Sequence, residues 1–160
     1  MPTPDFILSL REKIGTESLW LSGVTAVVHR GVGADREVLL VRRSDNGNWT
    51  SVTGIIDPGE APAVAALREV LEEASVVAEV ERLAWVHVEP PIVYSNGDRA
   101  QFMNLIFRCR YVGGDAALGD DENTAVGWFR LDALPQLGGS HRERITQALD
   151  GPAETRFDTT

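Results

Sequence analysis

Apolar residues recur along this chain with two different periods, and the switches between them mark its elements. Phe6, Leu10 and Ile14 stand at i, i+4 and i+8, which predicts an amphipathic helix over Asp5–Ile14 stopped by Gly15. Residues 19–29, rich in Val, Leu and Trp, predict a strand. After a turn at 31–35, Glu37–Arg43 is expected to pair back against it, with a polar loop at 44–48. Pro62 suits a first helical turn and residues 63–74 are strong helix formers, with Val64, Leu67 and Leu71 as the apolar stripe. Residues 76–89 offer one or two strands. Ser95, Asn96, Gly97 and Asp98 form a hairpin turn before a long strand at 101–112. A loop at 113–123 leads to a short strand at 125–131. Ser140 and Glu143 read as a capping box opening a last helix to Leu149, and a frayed tail follows from Gly151.

This order of elements predicts an α/β (α+β) sandwich with a mixed β-sheet rather than an all-β barrel. An N-terminal helical extension (1–18) precedes one domain (19–150) and the tail (151–160). There is no internal repeat and no low-complexity tract.

Composition narrows the setting. With 160 residues, 43% hydrophobic and 24% charged, the chain suits one soluble domain with a real core. No apolar run approaches the roughly 20 residues that cross a bilayer, so no membrane association is expected. Residues 1–10 hold Asp5 and no basic stretch, so no signal peptide is expected. Cys109 is the only cysteine, which rules out an intrachain disulfide and points to a reducing cytoplasm. The net charge of -9, with no helix-turn-helix pattern and no basic stripe, argues against a nucleic-acid partner. An acidic protein still binds a small polyphosphate when divalent cations mediate the contact.

The chemistry gathers in GIIDPGEAPAVAALREVLEEASV, from Gly54 to Val76. On the predicted helix Glu69, Glu72 and Glu73 stand at i, i+3 and i+4, so the three carboxylates share one face. Each like-charged i,i+4 pair costs about 0.2–0.5 kcal/mol, whereas a hard divalent ion such as magnesium seeks converging oxygens. Arg68 precedes the cluster and Glu60 lies upstream, placed to orient it. The competing reading of EVLEEA alone is the solvated side of an amphipathic helix.

The whole pattern decides between them. It resembles the signature of the Nudix hydrolase family (MutT-like), with Gly54, Glu60, Arg68, Glu69, Val70, Glu72, Glu73 and Val76 all in place. Ser75 is the single departure, standing where the family has glycine. A glycine there supplies a left-handed backbone, so serine costs roughly 1 kcal/mol or the helix exits by another route. Trp49 matches an aromatic position five residues before the box glycine. The resemblance implies a Nudix-type sandwich and a magnesium-dependent cut of a diphosphate linkage in a nucleotide, with manganese as the alternative ion. It implies Glu72 and Glu73 as principal metal ligands, Glu69 as a further ligand or the general base, and Arg68 as their catalytic companion. Gly54 and Glu60 would hold the loop, and the carbonyl of Thr53 would reach the metal. A further acidic ligand is expected from Asp120, Asp121 and Glu122, with Glu122 the choice; a solvated loop is the alternative.

The substrate end is less marked. Trp49, Tyr94 and Phe102 can stack on a base, although packing explains such residues more often. Arg42 or Arg43 can meet phosphate or simply form a surface pair. Tyr94 and Pro90–Pro91 stand where two different subfamilies carry their markers, so neither decides the substrate. His29, His87 and His141 lack zinc spacing and are read as structural. Two other functions fit the same fold: an isoprenoid diphosphate isomerase, which needs a catalytic cysteine, and a non-catalytic nucleotide sensor, which usually loses box carboxylates. The N-terminal helix is expected to pack on the sheet edge or on a second subunit, making a homodimer.

Overall fold

The structure, a computed structural model, describes residues 3–160; Met1 and Pro2, at the start of the 1–18 extension, lie outside the described residues. Its helices are α1 (Asp5–Ile14), α2 (Pro62–Ala74) and α3 (His141–Leu149). Its strands are β1 (Leu19–Arg30), β2 (Glu37–Arg43), β3 (Trp49–Thr50), β4 (Val52–Ile55), β5 (Val77–Val88), β6 (Ile92–Val93), β7 (Arg99–Gly113), β8 (Asn123–Arg130) and β9 (Arg156–Phe157). The sheet runs β3-β2-β1-β7-β5-β9, with β4 on β1, β6 on β7 and β8 on β2. β1 pairs parallel with β7 from Leu19↔Ala100 to His29↔Arg110, and β5 pairs parallel with β9; the remaining strand pairs are antiparallel. The sheet is therefore mixed, and helices cover both its faces.

The runs VTAVV and VLLV are continuous because their strands are buried on both sides. Alternate residues serve opposite faces. Val24, Ala26, Val28, Leu39 and Val41 pack under α2 with Ala66, Val70 and Ala74. Val27, Val38 and Leu40 pack with Ile145, Ala148 and Leu149 of α3. A third cluster joins Ile7 of α1 to Leu21 and Ala100.

Several expectations are corrected. α1 has its predicted bounds and ends at Gly15 (φ 58°), but its buried residue is Ile7, while Leu10 and Ile14 are exposed. Only its first half joins an apolar cluster with the sheet. Its second half is held by polar contacts, in which Arg11 donates to the carbonyls of Gly15 (3.1 Å) and Arg99 (2.7 Å). β2 meets β1 only at His29↔Val38 and Arg30↔Glu37 and has β8 and β3 as its other partners, because β4 occupies the β1 edge from Gly23 to Ala26. On α2, Val64 (57% exposed) and Leu71 (55% exposed) face outward, and the core side is the small-residue face Ala65, Ala66, Val70 and Ala74. Of the one or two strands expected at 76–89, the chain forms one, over residues 77–88.

The capping box does not form. Ser140 makes no side-chain cap; its Oγ accepts from Arg144 Nε (2.9 Å), and Glu143 pairs with Arg156 (2.9 Å). At the other end of α3, Arg82 donates to the carbonyls of Gln147 (3.1 Å) and Ala148 (3.0 Å), as suits a cation at a helix C-terminus. Nor is the tail frayed. β9 extends the sheet beside β5, and Asp158 accepts from Trp85 Nε1 (3.3 Å) and shares a 2.6 Å hydrogen bond with His87 Nδ1.

Candidate active site

The loop between β4 and α2 is closed by one residue. Glu60 Oε2 accepts the backbone N–H of Asp57 (3.1 Å), and the same carboxylate receives the fork of Arg68, Nε to Oε1 (2.8 Å) and Nη2 to Oε2 (2.9 Å). Arg68 also donates to Glu69 Oε1 (2.8 Å), Glu72 Oε2 (3.2 Å) and the carbonyl of Ile55 (3.2 Å). Its planar guanidinium thus ties strand, loop and helix together, a job for which lysine lacks the geometry. The hydrogen bond from Arg68 holds the Glu60 carboxyl below its ordinary value.

Glu69, Glu72 and Glu73 occupy an arc of about 100° on α2. The arc straddles the edge of the core, so the expected common face divides. Glu69 (1% exposed) and Glu73 (2% exposed) point inward, whereas the Glu72 side chain is 44% exposed. Glu69 lies directly beneath Gly54, where any Cβ would overlap its carboxyl group. The box glycine is needed for this close approach; its φ is not positive. Burial pushes Glu69 up to about 7 and Glu73 up to about 8. Thr53 precedes Gly54 on β4, across from Thr25.

The loop after β7 sits on the end of α2. Ser75 adopts the left-handed conformation (φ 55°, ψ 26°), the route that the glycine of the motif would take. Ala117 N–H then donates to the Ala74 carbonyl (3.1 Å) and Gly119 N–H to that of Glu73 (3.2 Å). Only glycine fits at position 119, since a Cβ would overlap the Glu72 carbonyl oxygen. This contact brings Asp120 and Glu122 near Glu73, and their charges help to raise its pKa. Glu122 is anchored by its carbonyl, which accepts from Ser44 N–H (2.9 Å) and Ser44 Oγ (2.6 Å), and its carboxylate lies 3.7 Å from Arg43. The next residue, Asn123, donates from Nδ2 to Glu73 Oε2 (2.9 Å). Sequence reading passed over Asn123; its one signal is its place directly after the acidic run.

Elsewhere the predicted residues divide. Trp49 packs edge-on against Phe129 (4.8 Å between centroids), and Phe102 packs against Gly23. Arg42 donates to the Gly47 carbonyl (3.0 Å) and is exposed. Tyr94, 45% exposed, stands within the electrostatic reach of Arg43 and Arg11. Each histidine has a protein partner: His29 pairs with Glu81 (2.8 Å), His87 with Asp158, and His141 Nδ1 accepts the N–H of Ser51 (3.2 Å). Beside the Asp57–Glu60 turn lies a groove of about 460 Å³, lined by Phe6, Trp20, Ser22, Ile56 and Met103 among others.

Among the described residues no three carboxylate, imidazole or thiol groups already converge at metal-holding distance. The donors nevertheless suit a hard divalent ion. All are oxygens, and Glu69 Oε2 is buried with no hydrogen-bond partner.

Comparison with known proteins agrees with this geometry. A family model described as NUDIX domain matches residues 20–149. The chain belongs to the Nudix hydrolase family. A MutT-like protein of Streptomyces ambofaciens is 34% identical over 121 residues, covering 75% of this chain and 73% of that protein. An ADP-ribose pyrophosphatase of Methanocaldococcus jannaschii is 29% identical over 114 residues; the match covers 69% of this chain and 64% of that protein. The crystal structure of an ADP-ribose pyrophosphatase from Streptococcus suis superposes with a TM-score of 0.67 at 26% identity, covering 86% of this chain and 98% of that one. As a Nudix hydrolase the chain thus has family, fold and box in agreement, and within the box two buried carboxylates stand beside an arginine fork.

Proposed function

We propose that this Nudix hydrolase cleaves the diphosphate linkage of a nucleoside diphosphate joined to a further group, using magnesium, with manganese as a substitute. The observation that carries the reading is the pair of buried glutamates, Glu69 and Glu73, which only a cation makes comfortable as carboxylates. When bound, a divalent ion neutralises the diphosphate oxygens and favours attack by water. Glu69, Glu72 and Glu73 would hold it, aided by the Thr53 carbonyl and by Glu122. Arg68 keeps two of these groups, Glu69 and Glu72, in register while Glu60 holds its fork. Glu69 serves either as a further ligand or as the base that takes the proton of the attacking water. Tyr94, Arg42 and Trp49 are the candidates for substrate contact, and Tyr94 lies within the electrostatic reach of Arg43. ADP-ribose is the first substrate to try, in view of the two ADP-ribose pyrophosphatases that the chain resembles.

Two further proposals concern setting. The lone cysteine supports a reducing cytoplasm, and no helix among the described residues is long and apolar enough to cross a membrane. A homodimer formed through α1 is supported by the apolar side chains that this helix leaves exposed.

The test is a panel of nucleoside diphosphate derivatives, ADP-ribose first, assayed with magnesium for wild type and Glu73→Gln. Wild type is expected to release phosphomonoester product, and Glu73→Gln to lose at least about 10²-fold in kcat. Equal rates for the two proteins, or no hydrolysis of any substrate by wild type, would defeat the reading. Binding without hydrolysis would favour the sensor instead. The isomerase is disfavoured by Cys109, which is fully buried and whose thiol burial pushes up to about 12.

A further inference from the structure

We propose that Asn123 is a metal-binding residue of this site: its side-chain oxygen joins the glutamates around the divalent ion while its amide nitrogen fixes the Glu73 carboxylate. The inference rests on the function proposed above and adds to it a neutral ligand from outside the box.

The geometry leaves little choice about how Asn123 is oriented. With Glu73 ionised, as a bound cation would keep it, the carboxylate only accepts, so the atom 2.9 Å from Glu73 Oε2 is the NH₂ end of the amide. The oxygen shares a carbon with that nitrogen and therefore lies beside the Glu73 carboxyl. Asn123 is 4% exposed, and Oδ1 is buried with no hydrogen-bond partner. A buried carbonyl oxygen left unsatisfied costs stability, and native structures keep few of them. Glu69 Oε2, one helical turn from Glu73, is orphaned in the same way. Two such oxygens, on residues neighbouring one buried carboxylate, make a donor set that suits a hard cation.

The backbone holds Asn123 firmly in place. It opens β8 and stands across from Arg43, where the β2–β8 register shifts between Arg42 and Arg43. Both hydrogen bonds from Ser44 grip the residue before it. The choice of side chain follows from charge. Another carboxylate would add repulsion to a cluster that already strains Glu73, and a lysine or arginine would compete with the ion itself. An amide orients the glutamate and offers an oxygen without altering the charge.

Manganese binding is the direct test, followed by the loss of the free-ion EPR signal in wild type, Asn123→Ala and Asn123→Asp, with melting of each metal-free protein alongside. Asn123→Ala is expected to raise the Kd for manganese about ten-fold or more. Asn123→Asp, which keeps an oxygen at the same point, should recover part of that loss and answers the question even if the alanine variant folds poorly. An unchanged Kd in Asn123→Ala overturns the proposal, and so does equal weakening in both variants, which would mean that only the hydrogen bond to Glu73 matters. If wild type binds manganese and hydrolyses substrate while Asn123→Ala binds as tightly, this assignment fails and the function stands. If wild type neither binds manganese nor hydrolyses, the functional reading fails and takes this one with it.

Discussion

Ser75 is the one described non-glycine residue with positive φ, and it stands where the family motif has glycine. The sequence alone raised two routes out of α2, a strained serine or a different exit, and the helix takes the strained one. A left-handed conformation costs an L-residue about 1–2 kcal/mol, of which glycine's greater unfolded-state entropy would return about 0.5–1 kcal/mol. Ser75→Gly is therefore expected to stabilise the protein by about 0.5–1 kcal/mol in urea denaturation; a loss of stability would show that the serine side chain is itself needed. Gly54 teaches a different lesson. Its place in the motif was plain, but its reason, the Glu69 carboxyl lying against its Cα, depends on how β4 and α2 pack and is not written in their spacing. Asn123 was invisible for a related cause. It meets Glu73 from 50 residues away, across a β-bulge and a loop seated on a helix end.

At the scale of elements, strands were legible where apolar runs were long, as in β1, β2 and β7. Helix bounds were legible from Gly15 and Pro62. Helix faces were not. On α2 the large side chains Val64 and Leu71 suggested the buried stripe, yet alanines let the helix approach the sheet closely, and that brings Glu69 and Glu73 into the interior. Polar tails carry no periodic signal, so β9, secured through Asp158 and by Arg156 lying 4.1 Å over the ring of Trp85, could not be foreseen. α1 bears the prediction that belongs at this scale. Leu8 (50%), Leu10 (38%) and Ile14 (37%) are exposed on a helix outside the matched domain, a cost that a second copy would relieve. Sedimentation is expected to give a dimer mass at micromolar protein, and Leu8→Glu to give a monomer. A monomer mass at every concentration of wild type removes the proposal.

For the whole molecule, the buried ionisable groups set how stability responds to pH. Glu69 and Glu73 hold protons up to about 7 and about 8 in the folded chain, against an ordinary value of 4.5. Their contribution is complete below about pH 4.5 and is lost as pH rises through those two values, because the unfolded chain releases the protons first. His141 acts in the opposite sense. Burial pushes it down to about 3, so folding weakens as pH falls below 6.5. Above that value only the glutamates of this set still titrate. The melting temperature in EDTA is therefore expected to fall between about pH 6.5 and about pH 8.5, and the gain from added magnesium to grow over the same interval. A flat metal-free profile would show that the two carboxyls titrate normally.

The groove beside the Asp57–Glu60 turn has a practical side. Of the four tryptophans, Trp85 is sealed in the core, Trp49 and Trp128 are partly covered, and Trp20 stands 58% exposed in that groove, next to the turn that carries Glu60. Anything that orders or displaces the turn changes the water around one indole and leaves the sealed one untouched. The molecule thus carries an optical gauge of its own box, legible in the colour of its emission without a dye.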